Sequence, residues 1–366
     1  MTFSVARNPQ PASDADREAV LAAPGFGKHF TDHMVRIDWT VDGGWDEGRV
    51  LPYGPISLEP ASAVLHYGQE IFEGLKAYRQ VDGSVAAFRP EANAERMQRS
   101  ARRMAMAELP TELFVESLRA LVGIDEQWVP QPVDQSLYLR PFMIATQDGL
   151  GVNAPSSSFA YLLIASPAGD YFSGGVRPVT VWLSTEYTRA APGGTGEVKC
   201  GGNYAASFAA TAEAAAHGCD QVVWLDAFEH RWVEEMGSNN LGFVFGSGPG
   251  ARIVTPALTG TLLPGITRTS LLEVATELGY TAEEGKISVE EWRDGCASGA
   301  ITEVFGCGTA AVVTPIGAVR SADGEFTIGD GPAGAGGPVT AALRERLVGI
   351  QTGRVEDTHG WMTRLN

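Results

Sequence analysis

The chain has 366 residues, of which 44% are hydrophobic and 19% are charged, and its 27 Lys and Arg against 44 Asp and Glu give a formal net charge of −17. At about 100–200 residues per domain, this length predicts two domains, or three at most, each able to bury its own core. The composition excludes a largely disordered chain. So acidic a chain does not fit a general nucleic-acid-binding protein, which needs a basic surface.

The four cysteines, Cys200, Cys219, Cys296 and Cys307, form no CxxC pair and have no histidine at metal-ligand spacing. They predict neither a disulfide framework nor a zinc site, and they are typical of a reducing compartment. No segment stays apolar over the roughly eighteen residues that a membrane span requires, and the first residues lack the apolar core of a signal peptide. We therefore expect a cytoplasmic protein with no membrane partner, no nucleic-acid partner and no metal.

The first half of the chain mixes strands, hairpins and helices. The predicted elements, in chain order, are a strand (35–40), a hairpin (77–79 and 85–89), a helix that Pro90 begins (91–104), an amphipathic helix (111–128) and two strands (136–145 and 159–166). This pattern predicts a small N-terminal α/β domain over 26–167. A flexible arm is expected to precede it over 1–25.

Gly, Ser and Pro fill the next segment, where we expect an interdomain loop over 168–180, followed by a larger domain over 181–366. Its predicted elements are a helix (204–217), three strands (221–226, 232–236 and 242–246) and two further helices (267–278 and 338–350). Strands and helices alternate without strict order along the whole chain. The expected fold class is therefore mixed, α+β or α/β.

Lys199 lies in the segment Glu197-Val198-Lys199-Cys200-Gly201-Gly202-Asn203-Tyr204, between glycines and an Ala-rich helix. A single lysine is usually a solvated surface charge, but these neighbours offer no polar face for one. Burial in an apolar pocket lowers the pKa of a lysine and frees its amine for Schiff-base chemistry. Tyr204 either returns its hydroxyl to the same site or is a core tyrosine, and the segment alone leaves both open.

Two other segments could contact a ligand, one through a phosphate and the other through a ring nitrogen. In Leu263-Pro264-Gly265-Ile266-Thr267-Arg268, the helix that begins at Thr267 offers backbone N–H groups to a phosphate, although an ordinary capped helix is the favoured interpretation of this segment taken alone. Glu234 and Glu235 are neighbours on a strand, so one turns inward while the other stays solvated. We expect Glu234 to be the solvated one, and an inward Glu235 could keep a ring nitrogen protonated.

The helix over 91–104 carries four arginines, Arg96, Arg99, Arg102 and Arg103. Most of them are expected to face solvent, because a nucleic-acid patch would carry interleaved aromatic residues. One could still turn inward and pair with an anion. Further along, Tyr138 and Arg140 lie on the same face of a strand, where they offer an aromatic wall beside a charge that binds carboxylates.

Taken together, these segments resemble the branched-chain amino-acid aminotransferases, which are fold-type IV enzymes that use pyridoxal 5′-phosphate. Further matching segments are 26–34, 65–78, 88–90, 136–141, 235–239 and 308–310. The matches follow the family's order over about residues 26–313. The resemblance implies a two-domain protein whose larger C-terminal domain is a pseudo-barrel of strands with helices.

The resemblance also assigns roles to residues. Lys199 would form the Schiff base with the cofactor and move the proton at the substrate's α-carbon. The cofactor-binding residues would be Arg96, Lys199, Tyr204, Glu235, Ser238, Ile266, Thr267 and Thr309. The substrate-binding residues would be Phe26, Tyr67, Phe72, Tyr138, Arg140, Tyr171, Thr309 and Ala310. Tyr67 would reach the site of the other subunit of a homodimer, and Arg140 would meet the distal carboxylate of glutamate.

The activity that follows from the resemblance is the reversible transfer of the amino group of L-leucine, L-isoleucine or L-valine to 2-oxoglutarate. One methylene changes binding in an apolar pocket by only about 1–3 kcal/mol, so all three are expected to react. D-amino-acid aminotransferases and aminodeoxychorismate lyases share the lysine and the glutamate, but they are not expected to show segments 26–34 and 138–141 in this form. The intact set of Lys199, Tyr204 and Glu235 argues against a non-catalytic protein of the same fold.

Overall fold

The computed structural model describes residues 3–131, 135–169 and 176–366. These residues divide into two compact units. The first comprises 3–169, 198–201 and 350–366, and the second comprises 176–197 and 202–349. The segment that carries Lys199 thus groups with the first unit. The domain bounds 26–167 and 181–366 remain a prediction.

The strands, in chain order, are Ser4–Val5 (β1), His33–Thr40 (β2), Gly44–Trp45 (β3), Arg49–Pro52 (β4), Glu70–Phe72 (β5), Leu75–Arg79 (β6), Val85–Phe88 (β7), Ser136–Ala145 (β8), Ser158–Ala168 (β9), Val179–Leu183 (β10), Gln221–Leu225 (β11), Val233–Met236 (β12), Asn239–Phe245 (β13), Arg252–Pro256 (β14), Thr281–Gly285 (β15), Ile301–Gly308 (β16), Val312–Ser321 (β17), Gly324–Thr327 (β18) and Met362–Arg364 (β19). The α-helices are Asp14–Ala22 (α1), Ala63–Tyr67 (α2), Pro90–Arg103 (α3), Thr111–Ile124 (α4), Gly201–Ala205 (α5), Phe208–Ala216 (α6), Ile266–Glu277 (α7), Val289–Ser298 (α8) and Pro338–Gln351 (α9). Among the residues described, no helix has both the length and the apolar composition that crossing a membrane demands.

The first unit is built on a sheet in the order β1-β4-β2-β9-β8-β6-β7-β19, with β3 beside β2 and β5 beside β8. Helix α4 packs on this sheet through the apolar side chains that its spacing predicted. Phe114, Leu118 and Leu121 are fully buried in the core, since residues three and four apart share one face of a helix. Pro90 begins α3, as predicted.

Secondary structure begins earlier than the sequence pattern indicated. β1 pairs in parallel with β4, and the Ser13 side chain caps α1 by accepting the Asp16 N–H. Between them, the Asn8 N–H donates to the His33 ring at 2.9 Å and the Ala12 N–H donates to the Asp32 carboxylate at 2.8 Å. The segment expected to be a loose arm therefore has specific contacts with β2 and the loop before it.

The second unit contains a closed barrel. Its strands follow the order β12-β11-β10-β17-β16-β13, and the pairing of β12 with β13 closes the ring. Strands β14 and β15 extend from β13, and β18 pairs with β17. The mixed α/β architecture and the barrel confirm the predicted fold class. The helix predicted over 204–217 is instead two helices, α5 and α6, because the Ser207 hydroxyl and N–H both bond to the Tyr204 carbonyl.

Candidate active site

Lys199 lies on a short segment held along β5 in the first unit. Its carbonyl accepts the Phe72 N–H at 2.9 Å, and its own N–H donates to the Ser100 hydroxyl at 3.1 Å. The neighbouring Val198 and Cys200 side chains are buried in the core. The Lys199 side chain is only half-buried, with Nζ 4.9 Å from the centre of the Phe72 ring. Backbone contacts thus fix the position of Lys199, and its amine lies over the Phe72 ring.

The predicted substrate residues of the first unit form a cluster beside this amine. The rings of Phe26 and Tyr138 meet edge to face with centres 5.0 Å apart. The Arg140 Cζ lies 4.9 Å from the Phe72 ring centre and 5.4 Å from that of Tyr138. Arg140 Nη2 donates to the Tyr138 hydroxyl at 3.1 Å. Its buried Nε has no hydrogen-bond partner in the described part of the chain, so the N–H of this atom is available to donate to an anionic ligand.

Tyr67 lies on the surface of the first unit and is 43% exposed. Its hydroxyl donates to the Leu150 carbonyl at 2.5 Å. Together with Gln69 and Val152 it lines an open cavity of about 580 Å³. Tyr171, the remaining aromatic residue predicted for the substrate pocket, lies outside the described residues.

A buried ion pair lies next to Lys199 in the first unit. The Glu73 carboxylate accepts Arg96 Nε and Nη2, each at 2.8 Å, and Asn93 Nδ2 at 2.7 Å. Burial would raise the pKa of Glu73, but the Arg96 charge and hydrogen bond, the Lys199 charge and the Asn93 amide outweigh it and hold that pKa below its ordinary value. Arg96 is thus the arginine of α3 that turns inward, and it pairs with a carboxylate of the chain itself.

Glu235 is the buried carboxylate at the centre of a network in the second unit. The Leu263 N–H and Asn240 Nδ2 both donate to its Oε1, the latter at 3.2 Å, and Arg189 Nε lies 3.2 Å from its Oε2. Asn240 Nδ2 also donates to the Leu263 carbonyl at 3.0 Å. Glu235 is only 2% exposed, so this network fixes the carboxylate in one orientation.

Two glycines bring the predicted phosphate-binding segments to the same end of β13. A Cβ on Gly265, the residue before α7, would lie 1.9 Å from the Asn240 Oδ1. A Cβ on Gly308, where β16 ends, would lie 2.3 Å from the Asn239 Oδ1. The beginning of α7, with Ile266 and Thr267, and the turn that carries Thr309 and Ala310 therefore approach consecutive residues of one strand. That strand is the partner of β12, which carries Glu235.

Strand β12 is buried on both of its faces, which differs from the sequence expectation. Glu234 is not solvated: it is 7% exposed and accepts the Thr261 hydroxyl at 2.5 Å, so that expectation was wrong. In a closed barrel, a neighbouring segment can cover the outer face of a strand, and the sequence of the strand alone does not reveal this. Ser238 is exposed in the turn after β12, and Tyr204 is half-buried in α5.

The charged residues that pair with Glu235 and Arg96 were not identified from the sequence. Arg189 binds Glu235 and also donates to the Thr261 and Gly196 carbonyls, at 2.8 and 3.2 Å. Glu73 neutralises Arg96. A signal existed for Arg189, since it directly precedes the uncharged segment Ala-Ala-Pro-Gly-Gly. Such a charge needs a partner if the segment is buried.

The chain is similar to known proteins over most of its length. The model of the family described as amino-transferase class IV matches residues 70–319. The branched-chain-amino-acid aminotransferase of Mycolicibacterium smegmatis is 64% identical over 367 residues, which cover 100% of this chain and 99% of that protein. The structure of the Escherichia coli branched-chain amino acid aminotransferase has a TM-score of 0.73 at 28% identity, covering 90% of this chain and 99% of that one. The T.th. enzyme of the same name, complexed with N-(5′-phosphopyridoxyl)-L-glutamate, has a TM-score of 0.70 at 28% identity, covering 90% and 98%.

Proposed function

Because the chain belongs to the class IV amino-transferase family and, within it, to the branched-chain-amino-acid aminotransferases, we propose that it transfers the amino group of L-leucine, L-isoleucine or L-valine to 2-oxoglutarate with pyridoxal 5′-phosphate as cofactor. The observation that carries this proposal is the position of Arg140 among aromatic rings beside the Lys199 amine. Aromatic walls suit a branched aliphatic side chain, and a guanidinium suits the distal carboxylate of glutamate. One pocket can therefore serve both half-reactions. The similar proteins favour this activity over that of a D-amino-acid aminotransferase or an aminodeoxychorismate lyase.

The second unit has features that fit the cofactor's phosphate. Helix α7 begins at Ile266 without a side-chain cap from Gly265, and the N-terminus of a helix attracts an anion through its backbone N–H groups. Ile266, Thr267 and Thr309 would hold the phosphate, with Arg96 as the predicted cationic partner. When bound, the cofactor supplies an electron-poor ring that stabilises the charge left on the substrate's α-carbon when its proton departs.

Glu235 would hold the ring nitrogen of the cofactor, with Tyr204 and Ser238 as further contacts. A carboxylate in this role must keep its charge and its direction. The Leu263 N–H supplies direction, and the Arg189 guanidinium balances the charge without leaving the protein interior. Arg189 therefore acts as a positioning residue for Glu235.

Lys199 would hold the cofactor covalently and move the proton at the substrate's α-carbon. The hydrogen bonds from Phe72 and to Ser100 fix its backbone, and an amine on a four-carbon stem can reach both the atom that loses a proton and the atom that gains it. The backbone N–H of Ala310 and the hydroxyl of Thr309 would bind the substrate's α-carboxylate. Phe26, Phe72 and Tyr138 would surround its side chain.

We also propose a homodimer in which Tyr67 serves the partner's site. Tyr67 lies in an exposed apolar patch with Leu150 and Val152, which are 62% and 71% exposed. Exposed apolar clusters of this kind are typical of interfaces. A second copy of the chain would cover the patch and bring Tyr67 to another active site.

For the compartment, we propose the cytoplasm. The four cysteines, Cys200, Cys219, Cys296 and Cys307, are free. Burial raises the pKa of the Cys307 thiol to about 12 and that of Cys296 to about 12. Unreactive, unpaired thiols suit a reducing compartment.

The decisive test is a transamination assay with borohydride trapping. The protein with pyridoxal 5′-phosphate should convert L-leucine and 2-oxoglutarate to 4-methyl-2-oxopentanoate and L-glutamate. Borohydride should fix the cofactor on Lys199, as located by peptide mass. Lys199→Ala should abolish turnover and trapping while its circular dichroism stays that of the wild type.

Other outcomes would replace the proposal. Turnover of D-alanine without turnover of L-leucine would indicate a D-amino-acid aminotransferase. Wild-type rates in Lys199→Ala would exclude the lysine's role. An inactive wild-type protein that takes up no cofactor would indicate a binding protein of the same fold.

A further inference from the structure

A second charged side chain shares the sheet face of Arg140. Glu70 lies on β5, and the antiparallel pairing with β8 sets Glu70 opposite Ile144 and Phe72 opposite Phe142. Directly opposed residues, and residues two apart on a strand, project from the same face of a sheet. Glu70, Phe72 and Arg140 therefore lie on one face, and Phe72 separates the two charges along it.

Glu70 is held in place from the Lys199 side of the cluster. Its carboxylate accepts the N–H of Gly201, two residues after Lys199. A Cβ on Gly201 would lie 2.5 Å from the Glu70 Oε1, so a larger residue there would displace this carboxylate. Burial raises the pKa of Glu70, while the Gly201 N–H and the positive charge of Arg140 act in the opposite direction. The Arg140 Cζ lies 4.9 Å from the ring of Phe72, which is two residues from Glu70 on the same face, so the two charges are neighbours across this ring.

This arrangement bears on an energetic conflict in the pocket. An aliphatic substrate side chain that displaces water from an unbalanced guanidinium costs free energy, because a buried charge needs a counter-charge. A substrate carboxylate gains from the same guanidinium. A nearby negative charge lowers the cost of covering the guanidinium with an aliphatic side chain. It also weakens the attraction between the guanidinium and a substrate carboxylate.

We propose that Glu70 determines how the pocket divides its affinity between aliphatic and carboxylate-bearing side chains, through its charge acting on Arg140. The inference rests on the proposed function in taking Arg140 as the group that meets the distal carboxylate of glutamate. Glu70 keeps the guanidinium partly balanced, so the pocket accepts leucine. It does so at the expense of affinity for glutamate.

The variant Glu70→Gln tests the charge alone, because an amide oxygen can still accept the Gly201 N–H. Two amine-free probes separate the side-chain classes: glutarate carries a distal carboxylate and 4-methylpentanoate an aliphatic branch. Calorimetric titration of the holoenzyme should show glutarate binding about tenfold tighter in the variant and 4-methylpentanoate about threefold weaker, the size expected for one charge at intermediate dielectric. The ratio of kcat/KM for L-glutamate over L-leucine should rise in parallel.

Two controls isolate the effect. Glu116→Gln removes the same charge from an exposed pair with Arg119 on α4 and should leave both dissociation constants unchanged. In an Arg140→Gln background, Glu70→Gln should no longer change the ratio of the two constants, because its effect passes through Arg140. Equal thermal midpoints of Glu70→Gln and the wild type would show that Gly201 remains supported.

Each other result overturns the inference. An unchanged ratio, an equal change for both probes, or a shift that persists without Arg140 would show that Glu70 acts only as a support for Gly201. Failure of the proposed function looks different: L-leucine would not be transaminated even where the Glu70→Gln shift in binding is present. If the wild type bound neither probe, both proposals would fall.

Discussion

Glu73 and Arg96 form a buried charge pair whose side chains are 0% and 4% exposed. Removing one partner leaves the other charge uncompensated, which costs about 3–5 kcal/mol. We therefore expect Glu73→Gln to lower the free energy of unfolding by about this amount at pH 7, as measured by urea denaturation of the protein without cofactor. An unchanged free energy of unfolding would contradict the charge-pair interpretation.

The decrease in the free energy of unfolding caused by Glu73→Gln should depend on pH in a defined direction. The pKa of Glu73 in the folded protein lies below the ordinary value of 4.5, so its stabilisation is complete above about pH 4.5 and is lost as the pH falls through the lower, folded-state pKa. The difference between wild type and Glu73→Gln should accordingly shrink as the pH falls below about 4.5. As a control, Glu116→Gln on the exposed surface should change stability by no more than about 0.5 kcal/mol.

At the scale of elements, the approach of α7 to β13 depends on a glycine. In Gly265→Ala, the new Cβ would lie 1.9 Å from the Asn240 Oδ1, so Asn240 must move and its bond to Glu235 is disturbed. We expect weaker retention of pyridoxal 5′-phosphate by about tenfold, equivalent to about 1.4 kcal/mol and within the cost of overpacking. Fluorescence titration of the apoprotein measures it. Gly123→Ala in α4, where a Cβ meets nothing within 4 Å, should bind the cofactor like the wild type.

Elements with a clear local signal could be predicted from the sequence, and those that depend on the rest of the fold could not. Strand β8 coincides with the predicted 136–145 because its Tyr138 and Arg140 alternate with buried neighbours. The break between α5 and α6 was not predicted, because alanines on both sides favour a continuous helix. The helix is interrupted where the Ser207 side chain bonds to the Tyr204 carbonyl.

The candidate site shows the same division. Phe26, Phe72, Tyr138 and Arg140 lie together as the resemblance implied. The partners of Arg96 and Glu235 could not be read from the chain, because Glu73 and Arg189 are distant from them in sequence and only the tertiary fold determines such pairings. The roles of the cofactor-binding residues stay predictions.

At the scale of the whole molecule, the proposed dimer predicts complementation between two inactive chains. Lys199→Ala lacks the amine, and Tyr67→Ala lacks the ring that is proposed to cross to the partner. A mixed dimer would hold one site with an intact Lys199 from one chain and an intact Tyr67 from the other. After joint denaturation and refolding at equal amounts, we expect about a quarter of wild-type activity, because random pairing makes half the dimers mixed with one complete site each.

The control for this experiment is each variant refolded alone. Both should fall well below the mixture, and size-exclusion chromatography should show the same dimer in every sample. If Tyr67 served the site of its own chain, no mixed dimer would contain a complete site, and the mixture would show no more than the mean of its two parents.

The Glu73–Arg96 pair also bears on the order of events during the protein's maturation. A guanidinium enclosed without a counter-ion would oppose folding until an anion arrived. Here Glu73 supplies the counter-ion of Arg96, so the first unit can fold before any phosphate compound is present. We therefore expect the proposed cofactor to bind to, leave and rebind a first unit that is already folded.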